Sequence, residues 1–107
     1  MPTLKFVSLE CIRRHDLTGV DEPAIEVNGS RVWSGVISKG ETESLSGGRT
    51  DPVDFAGSVL VSLHEVSGGS TSQIAYAETV SDRRTNNGLL TFKTSGTHYE
   101  LRYKVVD

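Results

Sequence analysis

Apolar and polar residues alternate in short runs along this chain, and Gly, Asn, Asp and Ser separate the runs about every ten residues. Hardly any window places apolar residues at helical spacing. The pattern therefore predicts an all-β protein, an antiparallel Greek-key β-sandwich of about seven or eight strands. In the first run Leu4 and Phe6 share one face while Val7, Leu9 and Cys11 share the other. Such a strand is either buried on both sides or changes phase through a bulge near Phe6, and the bulge is the preferred reading. Residues 25–27, then Asn28-Gly29, then residues 31–37 read as a hairpin, because Asn-Gly supplies the two positive-φ positions of a tight turn.

Residues 38–52 hold the densest polar and glycine content and read as a long loop with one edge strand, in which only Leu45 is able to pack. Residues 55–65 follow, with Val59, Val61 and Leu63 on one face and Leu60 on the other, the pattern of a central strand covered on both sides. Gly68-Gly69 turns the chain into residues 73–80, Asn86-Asn87-Gly88 turns it again into residues 89–93, and Ser95-Gly96 leads to the last strand. There Tyr99, Leu101, Tyr103 and Val105 alternate with Glu100, Arg102 and Lys104, which predicts one buried face and one wet one.

The chain of 107 residues suits one domain with one core, residues 1–107. No run approaches the roughly 18 apolar residues of a membrane helix, and the start MPTLKF lacks the regions of a secretion signal, so a soluble protein is expected. The single cysteine, Cys11, forms no internal disulfide and reads as a small buried hydrophobe. Acids outnumber bases by 14 to 11, and the excess falls in the first 54 residues, with nine acids against six bases. Arg13-Arg14 and Arg83-Arg84 are isolated pairs rather than a stripe for tracking phosphates, so nucleic acid is not an expected partner.

The run HDLTGVDEPAIEV, residues 15–27, gathers Asp16, Asp21 and Glu22 around Gly19 just before an apolar strand. Calcium takes six to eight hard oxygen ligands, so carboxylates clustered on a glycine-containing turn are a candidate site. Asp-x-x-Gly and Asp-Glu-Pro are also ordinary turn chemistry, and a turn without metal is the competing reading.

This run resembles the first calcium-binding loop and following strand of C-two domains, the calcium-dependent phospholipid-binding β-sandwiches. Asp16, Leu17, Gly19, Pro23, Ile25 and Val27 match the family pattern position by position. Glu22 stands where the family has its second Asp, Asp21 where it has Ser, and Ala24 where it has Tyr. The resemblance implies a second acidic loop after a central strand. Its counterpart here keeps Glu65, with Ser67, Ser70 and Ser72 in place of carboxylates. It thus implies a weak single-calcium site at Asp16, Asp21, Glu22 and Glu65.

Other chemistry has little footing. His15, His64 and His98 are dispersed, with no Cys or His at zinc spacing. His64 beside Glu65 invites a hydrolase reading, but neighbouring strand residues point to opposite faces and no nucleophile elbow is present. No enzyme is expected. Trp33 and Tyr76 form either an aromatic platform for a sugar or, as preferred, part of the core. The glycine-rich residues 46–50 could cradle an anion, but they do not lead a strand into a helix as phosphate loops do, and plain loop is preferred.

The expectation is a non-catalytic binding or interaction module working through edge loops, with a protein or glycan as partner. Membrane insertion is not expected, because residues 15–22 and 66–72 lack the basic and bulky apolar side chains that enter lipid. The alternative is a structural subunit that binds copies of itself in a multi-protein particle: a virion surface or decoration protein, located on an extracellular particle, or a secretion-apparatus component.

Overall fold

The computed structural model describes residues 1–13, 22–67 and 70–107, the side chains of Ser67 and Ser70 excepted. Among them are nine strands: β1 (Thr3–Arg13), β2 (Pro23–Val27), β3 (Ser30–Ser34), β4 (Thr42–Ser44), β5 (Val53–Asp54), β6 (Ser58–Ser67), β7 (Ser70–Ser81), β8 (Thr85–Lys93) and β9 (His98–Val106). They form two antiparallel sheets packed together. One has the order β4-β1-β9-β8, with β5 pairing the start of β1, and the other has the order β3-β2-β6-β7. The steps β1 to β2, β3 to β4, β5 to β6 and β7 to β8 each pass from one sheet to the other. Each layer is thereby stitched to its partner. No helix among the described residues is long and apolar enough to cross a membrane.

The first strand changes phase as its pattern predicts. Leu4 and Phe6 are buried, then Leu9 and Cys11 are, and the register with β9 slips between Phe6 and Ser8. The bulge at Val7 lets both halves point their apolar residues inward, so one strand fills the interior along its length. The Asn28-Gly29 turn joins β2 to β3 with φ of 50° and 84°, a left-handed pair that Asn and Gly tolerate. Asn28 also holds β6, its N–H donating to the Leu60 carbonyl at 2.8 Å and its Oδ1 accepting the Leu60 N–H at 2.9 Å.

The core lies between the sheets. Phe6, Leu9, Phe92, Tyr99 and Leu101 from one layer meet Ile25, Val61 and Leu63 from the other. Each fully buried aliphatic or Phe side chain contributes about 1.5–3 kcal/mol. Leu45 is buried as expected, and two short strands, β4 before it and β5 after it, lie on the edge of β1.

The strands number nine among the described residues: β4 is the edge strand expected within 38–52, and β5 follows just beyond that segment. Two expectations are corrected. Strand β6 is covered on one face only: Val59, Val61 and Leu63 are buried, but Leu60 is 52% exposed. Its register partner Thr79 and the adjoining Glu26–Ser62 pair are polar, so no second apolar layer has reason to form there. Asn86-Asn87-Gly88 lies inside β8 rather than in a turn. The reversal falls one step earlier, where the Asp82 N–H donates to the Gly57 carbonyl and Asp82 Oδ2 accepts the Gly57 N–H. The extra residues are absorbed as a register shift between Thr85 and Gly88.

Candidate functional site

Strand order brings part of the acidic constellation together. Strand β2 lies beside β6 with Pro23 opposite Glu65, so the residue that enters β2 adjoins the end of the central strand. The Glu22 N–H donates to Glu65 Oε1 at 3.2 Å, and the Glu22 carbonyl accepts the Val66 N–H at 3.0 Å. The side chain of Glu22 is exposed and that of Glu65 half-buried. Glu65 sits at alternating positions with Val59, Val61 and Leu63, at the end of an inward row, and its carboxylate caps the backbone where β2 begins. Asp16 and Asp21 lie outside the described residues. Among the described residues no three His, Cys, Asp or Glu side chains gather as a metal site.

A shallow cleft of about 280 Å3 opens beside this corner, lined by Glu22, Arg31, Ser34, Gly35, Val36 and Val66. Gly35 is needed there, because a Cβ on it would fall 2.5 Å from the Trp33 ring. Trp33 packs against the core, as preferred from the sequence. Tyr76 does not, being 90% exposed on β7, and the two aromatics occupy strands at opposite edges of the sheet. Tyr76 stands in the irregular stretch 75–77, where the backbone departs from the alternation that would have turned it inward.

A second polar cluster, invisible in the sequence, occupies the outer face of β2 and β6. Ser62 Oγ lies 2.8 Å from His64 Nε2, and Glu26 Oε1 lies 3.5 Å from the same nitrogen. Register explains it, since Glu26 pairs with Ser62 and His64 stands two positions along. Serine, imidazole and carboxylate are the groups of a nucleophilic triad, but here hydroxyl and acid converge on one ring nitrogen. A triad needs them on opposite nitrogens, so that the acid orients the base. This arrangement ties two strands together. Only its alternation, Ser62-x-His64, was available in the sequence.

The remaining ion pairs are peripheral. Arg49 pairs with Glu43 at 3.4 Å, His98 approaches Glu100 at 3.9 Å, and Arg84 pairs with Asp107. The Arg84 hydrogen bond holds the Asp107 carboxyl below the usual carboxylate range, and the same bond raises Arg84. No protein-family model, curated protein or solved structure matches the chain.

Proposed function

We propose that the protein is a non-catalytic binding module whose ligand end is the corner where Glu22 and Glu65 meet, and that its kinship is with C-two domains. The observation that carries this reading is the hydrogen bond from the Glu22 N–H to Glu65 Oε1. It joins the end of the acidic run 15–22 to the end of the central strand, the juxtaposition that a site shared between those two segments requires. With Asp16 and Asp21 supplying further carboxylates, the corner would hold one calcium ion weakly, completed by backbone carbonyls and water. The mixed lining of the adjacent cleft, charged at Glu22 and Arg31 and apolar at Val36 and Val66, suits a protein or glycan partner.

Calcium titration tests the metal. Millimolar calcium should raise the melting temperature of the parent protein and shift the amide resonances of Glu22, Glu65 and Val66, with both responses lost in Asp16→Ala. An unchanged melt and spectrum at that concentration would remove the metal.

One observation favours a second reading, a structural subunit that assembles with copies of itself. Strand β7 is a twelve-residue edge strand carrying one charge, Glu78, and an almost fully exposed Tyr76. Long edges with few charges are templates for strand addition. Light scattering over a hundredfold concentration range distinguishes the readings. Assembly that Ala77→Lys abolishes supports the subunit, and a monomer throughout supports the module.

A further inference from the structure

We infer that the protein carries an oxyanion site, at the far end of the sandwich from Glu22, that binds a small phosphomonoester between Lys5 and Lys104. The two lysines are direct cross-strand partners in the β1–β9 pair. Directly opposed residues hold their Cβ atoms about 4.5–5.5 Å apart, and like charges in that position repel. Among the described residues neither ammonium has a carboxylate within 4.0 Å.

Two acids near the pair have partners of their own. Asp54 accepts a hydrogen bond from Thr3 Oγ1 at 2.6 Å, and Glu43 pairs with Arg49. The other acids of the β1–β9 pair, Glu10 and Glu100, oppose each other at the opposite end. The Lys5–Lys104 pair thus has no salt-bridge partner among the described residues.

Beside the lysines is a cavity of about 350 Å3. Besides Lys5 and Lys104 its lining includes Ser46, Gly47, Gly48 and Thr50. The loop is pinned at both ends, by the Leu45 N–H donating to the Val7 carbonyl at 2.9 Å and the Phe55 N–H donating to the Pro2 carbonyl at 3.0 Å. It therefore arches over the gap between β4 and β5 along the edge of β1. Gly47 and Gly48 take φ of 71° and 85°, and a Cβ on either would meet nothing within 4 Å, so the loop presents bare backbone in open space. Two ammonium groups and side-chain-free peptide groups are components of a phosphate site, whereas the hydroxyls are engaged within the loop, Thr50 donating to the Leu45 carbonyl and Ser46 bonded to Ser44, each at 3.2 Å. The volume is at the small end for ligand cavities and accommodates a phosphate carrying a modest organic group. The glycine-rich segment that reads as plain loop in the sequence becomes one wall of a site only because the register places two lysines beside it.

Inorganic phosphate and phenyl phosphate are the probes, each compared with chloride at equal ionic strength. Both should raise the melting temperature above the chloride control and shift the amide resonances of residues 46–50 together with Lys5 and Lys104. Lys5→Gln and Lys104→Gln should each weaken binding about tenfold, the scale of one charge-assisted hydrogen bond. Lys93→Gln, on β8 of the same sheet, should leave it unchanged. In chloride the Lys5→Gln/Lys104→Gln protein should melt no lower than the parent, since the substitution removes a repulsion. A phosphate response equal to that of chloride, or one that survives in the double variant, overturns the site. Binding of inorganic phosphate without phenyl phosphate overturns the ester as its ligand.

Discussion

Tyr103 lays its ring across the bare backbone of Gly88, its cross-strand partner: a Cβ at position 88 would come within 2.3–2.6 Å of three ring carbons. Glycine inside a strand ordinarily weakens it, and here it marks a close approach. Gly88→Ala should destabilise the protein by about 1–3 kcal/mol, because the ring must leave its position as a whole. Combining it with Tyr103→Ala should recover most of that cost. Denaturant melts of the four proteins of the cycle measure the coupling, and additive losses would mean that the ring has another place to go.

Asn28 performs two tasks at one position, adopting a φ of 50° and accepting the Leu60 N–H with its side chain. Asn28→Ala forfeits both and should cost about 1–3 kcal/mol. Asn28→Gly keeps the backbone freedom and loses only the acceptor, whereas Asn28→Asp keeps the acceptor, so both should lose less. Thermal melts that rank alanine above either in stability would contradict this division.

Whatever depends on local chemistry was legible in the sequence. Asn28-Gly29 specified its turn because positive φ is a property of those two residues, and the slip from Phe6 to Leu9 announced the bulge because side chains alternate with period two. Features that depend on what lies beside a strand were not legible. Leu60 looked coverable because a leucine does not state which face its sheet leaves wet, and Asn86-Asn87-Gly88 looked like a turn because turns and bulges recruit the same residues. For the candidate site, the nearness of Glu22 and Glu65 followed from a correct sandwich and its strand order. The Glu26, Ser62 and His64 cluster and the Lys5–Lys104 pair needed a register that no single strand encodes.

Ala75 holds a φ of 61° where β7 spends residues 75–77 opposite Ser62 alone. An L-residue with a Cβ pays about 1–2 kcal/mol in the left-handed region, and glycine offsets part of that by its greater freedom when unfolded. Ala75→Gly should therefore stabilise the protein by up to about 1 kcal/mol, and Ala75→Val should destabilise it by more than about 1 kcal/mol, since β-branching suits that region least. Urea midpoints at unchanged slope provide the measurement. A loss on going to glycine would show that the alanine methyl packs better than its backbone is strained.

Arg84 Nε donates to Asp107 Oδ1 at 2.9 Å, on an exposed part of the surface. That hydrogen bond lowers the folded-state pKa of Asp107 and outweighs the opposing effect of desolvation, with the charges of Arg84 and of the N-terminal amine adding lesser contributions in the same direction as the bond. A carboxylate held below its unfolded value contributes stability that is present above the unfolded pKa and disappears as pH falls through the folded one. The contribution therefore belongs to neutral pH and is lost in acid. The partner shift, which raises Arg84, lies beyond the pH range in which the fold is studied and adds no second window. Carboxyl-carbon NMR titration should give Asp107 a midpoint below that of an ordinary aspartate, and Arg84→Gln should bring it back. Added salt should shrink the difference between the two proteins, since both groups face solvent. An Asp107 midpoint indifferent to Arg84 would mean that the pair seen here does not persist in solution.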